Sequence, residues 1–144
     1  MNEIKRGTGE QFMHNTVQWL TERGVSLLGS RVLSVRGRKS GELRSNPVNL
    51  LTFEGERYLV APRGQTQWVR NLRVAGEGQL RVGRRIETFR AAELPDDEKP
   101  ALLRAYLKRW KFEVGMFFNG VDAKAPEEKL REIAPNHPIF RIIA

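Results

Sequence analysis

Apolar positions along this chain recur with two different periods. From Glu10 to Arg23 they fall at Phe12, Met13, Val17 and Leu20, with Trp19 beside them, a helical spacing that stops at Gly24. Arg31 to Arg36 is short and β-branched and is followed by Gly37, which predicts a strand and then a glycine-punctuated turn, GRKSGE. Pro47 to Phe53 predicts a second strand, Glu54-Gly55-Glu56 a hairpin turn, and Arg57 to Ala61 a third strand. Gln67 to Val74 sets Trp68 and Leu72, with Val69, on one side of a short helix. Gly78 to Val82 and Ile86 to Glu93, joined by Gly83-Arg84-Arg85, predict a further hairpin. LPDDEKPALLRAYLKRW carries acids and Pro100 in its first turn and an apolar stripe at Leu102, Leu103, Tyr106 and Leu107, the mark of a helix N-terminus. Ala125-Pro126-Glu127-Glu128 opens one more short helix, and Ile139 to Ile143 predicts a strand.

Six or so short strands joined mainly as hairpins, with helices at the start, middle and end, define an α+β fold with a largely antiparallel sheet. Strands this numerous and this short tend to close into a small barrel, which removes exposed edges. At 144 residues the length fits one domain, 1–144, able to bury a core, and no repeat or low-complexity linker interrupts it.

Composition narrows the function classes. Apolar residues make up 40% and charged residues 29%, ordinary values for a soluble protein. No run approaches the ~18 apolar residues of a membrane span, and MNEIKRGTGEQF has no signal-peptide core, so a cytoplasmic location is expected. Without cysteine there is no disulfide, thiolate nucleophile or sulfur-ligated metal, and His14 and His137 lie too far apart in sequence to suggest a metal site. The net charge of +8 is uneven: from Arg57 to Arg90 eight arginines face two acids, Glu77 and Glu87. Such a distribution implies an anionic partner, although solvated charge alone could produce it.

The densest cationic stretch is RGRKSGELRSNP, which sets Arg36, Arg38, Lys39 and Arg44 among two glycines and two serines. A P-loop is excluded, because Lys39-Ser40 precede Gly41 and the flanks are strands, whereas a P-loop places Lys and Ser or Thr after its last glycine at the start of a helix. Nucleic acid is disfavoured: no helix-turn-helix or zinc-finger spacing occurs, and the aromatics do not interleave on one strand as an RNA-binding sheet requires. A phosphorylated or carboxylated small molecule fits better. Backbone N–H groups of a Gly/Ser turn and bidentate arginines together make an anion clamp, with a solvated hairpin tip as the plain alternative.

GRKSGELRSNPV, followed some twenty residues on by WVRNL, resembles the signature of the deazaflavin-dependent nitroreductase family, whose members share a split β-barrel with flanking helices related to flavin-binding oxidoreductases. The resemblance runs from about Arg31 to Phe89 and fades after Glu93. It implies a reductase that binds coenzyme F420, a deazaflavin with a phospholactate and polyglutamate tail, and delivers hydride to activated double bonds, quinones or nitro groups; an FMN-binding reductase is the alternative. By the same resemblance Arg38, Lys39, Ser40, Gly41 and Arg44 match the positions that hold the phosphate and tail. Asn46, Pro47 and Val48 lie beside the ring system, and Ala61, Arg63 and Gly64 match the segment that hydrogen-bonds it. Trp68 and Asn71 match the helix behind the cofactor. Pro62-Arg63 stands where the family commonly has Ser-Lys, and the loop before Trp68 is short, both of which bear on nitro-compound activity rather than on the cofactor. Tyr106 is a candidate substrate contact by the same resemblance, with core packing on its helix as the plain alternative. Trp110, Phe112, Phe117 and Phe118 after it form an aromatic run that is either core or an apolar lid over a planar small-molecule substrate. Peripheral membrane contact is compatible with this reading, and monomer and dimer both stay open.

Overall fold

The computed structural model describes residues 30–144, so the helix expected over Glu10–Arg23 lies outside the described residues. Within them run β1 (Ser30–Arg36), β2 (Leu43–Phe53), β3 (Glu56–Val60), β4 (Glu77–Val82), β5 (Arg85–Glu93) and β6 (Ile139–Ile143). Helix α1 (Gln67–Ala75) joins β3 to β4, and α2 (Pro100–Val114) and α3 (Glu127–Ile133) lie between β5 and β6. All strand pairs are antiparallel, and the order β1-β2-β3-β6-β5-β4 closes into a barrel where β1 pairs with β4. Closure leaves no long sheet edge to template aggregation.

The strands and α1 start and stop within a residue or two of their predicted spans, except at the start of β2. Pro47 has no N–H and therefore reads as the first residue of a strand. In the barrel it sits opposite Val32, and the strand has already begun at Leu43, opposite Arg36. Ser45 is buried there and its Oγ lies 2.9 Å from Ser34 Oγ, so a hydroxyl pair fills positions that strict alternation reserves for apolar side chains.

Period-2 alternation divides the core in two. Leu33, Val35, Leu59, Leu80, Phe89, Phe140 and Ile142 cluster with Val69 and Leu72 of α1. From the other faces of β2, β3 and β6, Leu51, Val60 and Ile139 pack against Leu103, Tyr106, Leu107 and Trp110 of α2 and Leu130 of α3. The indole N–H of Trp110 donates to the Leu50 carbonyl at 3.0 Å, fixing α2 on β2. Lys99, 3% exposed, donates from Nζ to Asp96 Oδ1 at 2.7 Å and to the Ala134 carbonyl at 3.0 Å, tying the start of α2 to the end of α3. Among the described residues no helix is long and apolar enough to cross a membrane.

Candidate active site

The β1–β2 turn is held in shape by its own backbone. Gly37 N–H donates to the Glu42 carbonyl at 2.8 Å and Gly41 N–H to the Gly37 carbonyl at 2.9 Å. Gly41 has φ +76°, a left-handed conformation that costs glycine little and other residues more. Ser40 Oγ accepts from Glu42 N–H at 3.1 Å, and Arg36 Nη1 donates to the Gly41 carbonyl. The turn is also anchored to α1. Asn71, 5% exposed, accepts at Oδ1 from both Arg38 N–H (3.1 Å) and Arg38 Nη1 (2.7 Å), while Arg38 Nη1 also donates to Gln67 Oε1 (2.9 Å). Arg38 is therefore pre-positioned before any ligand arrives. Lys39 is exposed and makes no polar contact among the described residues; Arg44, also exposed, lies 3.6 Å from Glu42.

A second wall leaves the barrel at the end of β3. Ala61 N–H donates to the Pro138 carbonyl at 2.9 Å, Gly64 N–H to Ala61 at 3.2 Å and Thr66 N–H to Gly64 at 2.9 Å. Gly64 has φ +84°, and a Cβ there would sit 3.1 Å from the Asn136 carbonyl oxygen, so the wall's path requires glycine. Under it lies His137, 4% exposed, stacked on Phe118 with ring centroids 4.1 Å apart and with Nδ1 3.4 Å from the Ala61 carbonyl oxygen.

Burial pushes the His137 imidazole below its ordinary pKa, the Ala61 and Pro62 carbonyls pull the other way, and Lys99 adds to the lowering. The folded state thus holds it neutral, whereas the unfolded chain takes up a proton near pH 6.5. This stabilisation is complete above about pH 6.5 and is lost as the pH falls below that value. Denaturant melts at pH 7.5 and 5.5 are expected to show a larger loss for the wild type than for His137→Gln; equal losses would assign the acid sensitivity elsewhere.

The two walls enclose one cleft in two parts. The part over the turn, about 480 Å³, is lined by Arg38, Lys39, Ser40, Arg44, Asn46 and Asn71 among others. The deeper part, about 590 Å³, is lined by Pro47, Val48, Val60, Ala61, Arg63, Thr66, Tyr106, Val114 and Phe117. Asn46, Gln67 and Trp68 line both, so the parts meet at the start of α1. Each lies in the size range of small-molecule sites, roughly 300–1,000 Å³.

Most of the residues singled out from the sequence come together here. Gly41 and Gly64 shape the walls without lining the cleft, and Asn71 serves chiefly to hold Arg38. The aromatic run divides. Phe117 is half-buried on the cleft, with the Arg63 guanidinium 4.9 Å from its ring centroid, whereas Tyr106 borders the cleft but is 0% exposed and packs in the core cluster. Trp110 and Phe118, 2% and 0% exposed, are turned into the core instead and are not among the residues lining the cleft. Their positions correct the idea of a four-ring lid: residues 117 and 118 are adjacent and face opposite ways, and Trp110 is taken up by its contact with β2. His137 and Thr66 were not singled out as site residues, because a lone histidine and a loop threonine carry no pattern.

The basic segment is partly neutralised within the fold. Arg57 and Glu87 form a two-pronged pair, with Nη1 donating to Oε1 at 2.8 Å, and this pairing holds the Glu87 carboxyl below its usual pKa. Arg73 pairs likewise with Glu93 through contacts of 2.7 and 2.8 Å. Arg38, Lys39, Arg44 and Arg63 line the cleft, so its own charge is strongly positive.

Solved structures with the same fold include an F420-H2 dependent reductase, FDR-A (16% identity, TM-score 0.52, covering 79% of this chain and 93% of that one). A FAD-binding protein from Mesorhizobium loti is similar at 15% identity and TM-score 0.52, with 88% and 86% covered. The protein Atu2129, of unknown function, from Agrobacterium tumefaciens str. C58 matches at 16% identity and TM-score 0.58; 85% of this chain is covered, but it spans only 53% of that longer one. At these identities the likeness establishes the fold alone. No curated protein matches the sequence. The model of the F420H(2)-dependent quinone reductase family matches residues 8–115, well over half of the 144, extending past both ends of the segment that carries the turn signature. The chain is accordingly a member of the F420H2-dependent quinone reductase family, an enzyme whose cofactor is coenzyme F420.

Proposed function

We propose that the cleft holds F420 with its anionic tail over the β1–β2 turn and its ring system in the deeper part, and that a planar quinone or α,β-unsaturated carbonyl compound is reduced there. The observation that carries this reading is that a part lined by three cations, Arg38, Lys39 and Arg44, adjoins a deeper part lined by one, Arg63, with Asn46, Gln67 and Trp68 shared between them. The fit to F420 is supported by two features of the chain. Arg38, fixed by Asn71, and the unengaged Lys39 supply charge where a phosphate and glutamates need it, and the deeper part contains a buried hydroxyl, Thr66 Oγ1, that has no partner among the described residues. Arg38, Lys39, Ser40 and Arg44 would hold the tail; Asn46 to Val48, the Ala61–Gly64 wall and Trp68 would hold the rings.

When bound in its reduced form, F420 supplies hydride from its central ring. The chain's part is to position and to exclude. Val48, Val60, Val114 and Phe117 dry the deeper part, which strengthens every polar interaction made within it. The Arg63 guanidinium, which lines the deeper part, would favour an acceptor whose carbonyl oxygen takes up negative charge in the transition state, as in quinones and enones. No nucleophile or metal is required by this chemistry.

The test is a panel of quinones, enones, unsaturated lactones and nitro compounds mixed with enzyme and reduced F420, following reoxidation of the cofactor. Quinones or enones are expected to turn over fastest and nitroimidazoles poorly. Turnover of nitro compounds alone would overturn the acceptor assignment.

A further inference from the structure

Thr66 occupies the N-cap position of α1 with the extended backbone of a capping residue (φ −80°, ψ 177°), yet its side chain makes no cap hydrogen bond. A threonine at this position ordinarily turns its oxygen onto the second or third N–H of the helix, which is worth about 1 kcal/mol. Here Oγ1 is inaccessible to solvent and without a partner among the described residues, while Thr66 itself lines the deeper part of the cleft. A buried hydroxyl with no hydrogen bond destabilises a protein by about 1–3 kcal/mol, so such groups are rare unless a ligand satisfies them. Local strain does not explain the arrangement: the backbone of Thr66 is unstrained and its N–H and C=O are both engaged, by Gly64 and Arg70.

We propose that Thr66 is a ligand-binding residue, its hydroxyl completing a hydrogen bond to the polar edge of the deazaflavin ring system in the deeper part of the cleft. This rests on the placement of F420 argued above. It would add a side-chain contact to a wall whose backbone N–H groups at Ala61 and Gly64 are already engaged within the fold. Thr66 differs in this from Arg38, Asn71 and Ser40, which already have protein partners, and from Lys39, which is solvated.

A hydroxyl kept for a ligand and a hydroxyl kept for the fold respond in opposite ways to Thr66→Val, which keeps the shape and removes the polar atom. Three proteins, wild type, Thr66→Val and Thr66→Ser, are compared by thermal melting without cofactor and by fluorescence titration with oxidised F420, with Lys39→Ala as a control for the cleft itself. Thr66→Val is expected to melt at or above the wild-type temperature and to bind F420 roughly three- to tenfold more weakly, the range of one hydrogen bond. Thr66→Ser, which restores the hydroxyl, is expected to bind within about twofold of wild type. Lower melting of Thr66→Val with unchanged affinity would overturn the proposal in favour of a structural role. Weakening by serine but not by valine would overturn it in favour of methyl packing. Weakening by Lys39→Ala but not by Thr66→Val refutes this inference alone, whereas full binding by Lys39→Ala removes the cleft assignment on which it rests.

Discussion

Replacing Arg38 and Lys39 together by alanine is expected to weaken binding of oxidised F420 by on the order of a hundredfold, taking about 1–3 kcal/mol for each charge-assisted contact removed. The two residues contribute differently. Arg38 is immobilised by Asn71 Oδ1 and Gln67 Oε1, so little side-chain freedom remains to be lost on binding, whereas Lys39 must be ordered from solvent. FMN carries one phosphate and no glutamate tail, so the wild type is expected to prefer F420 strongly and the double variant to lose most of that preference. Raising the salt concentration should mimic the substitution in part, since exposed charges are screened over about 8 Å at physiological ionic strength. The check is a pair of titrations, F420 and FMN, on both proteins at two salt concentrations. Unchanged F420 affinity in the double variant would move the tail away from the β1–β2 turn.

Trp110→Ala is expected to destabilise the fold by about 3–5 kcal/mol, the usual cost of emptying a buried aromatic site. The indole is 2% exposed, packs in the cluster between α2 and the barrel, and loses its donation to the Leu50 carbonyl. Phe117→Ala removes a half-buried ring on the cleft and is expected to cost far less stability while raising the KM for the acceptor. Urea melts of both variants beside steady-state kinetics separate the two roles. A stable Trp110→Ala protein with impaired acceptor binding would return Trp110 to the cleft.

These two aromatics show what sequence could and could not tell. Strand positions were readable because alternation and glycine turns are local, and β1, β3, β4 and β5 appear within a residue or two of the expected spans. The start of β2 was not, because Pro47 imitates a strand start and the Ser34–Ser45 pair imitates a loop. Strand order was not readable either: β6 lies between β3 and β5, a neighbour relation that no local pattern encodes. The cationic turn stood out by composition, and resemblance assigned it a ligand. The reason for Asn71 did not, since its partner Arg38 lies 33 residues away. Helical spacing could group Tyr106, Trp110, Phe117 and Phe118 but could not say which side of the helix end each ring would take.

The wall formed by residues 61–64 has a kinetic consequence. It is pinned at Ala61 by the Pro138 carbonyl, supported by His137 and limited at Gly64 by Asn136, all in the segment leading into β6. That segment is in place only when β6 has paired with β3, with Tyr58 opposite Arg141 across more than half of the chain. Pairings so distant in sequence form late, because loop closure must precede their reward. The cationic turn, by contrast, belongs to the β1–β2 hairpin and to α1, whose contacts are closer in sequence. During folding the cationic turn is therefore expected to be in place before the 61–64 wall, which takes its final path in the same step that closes the barrel.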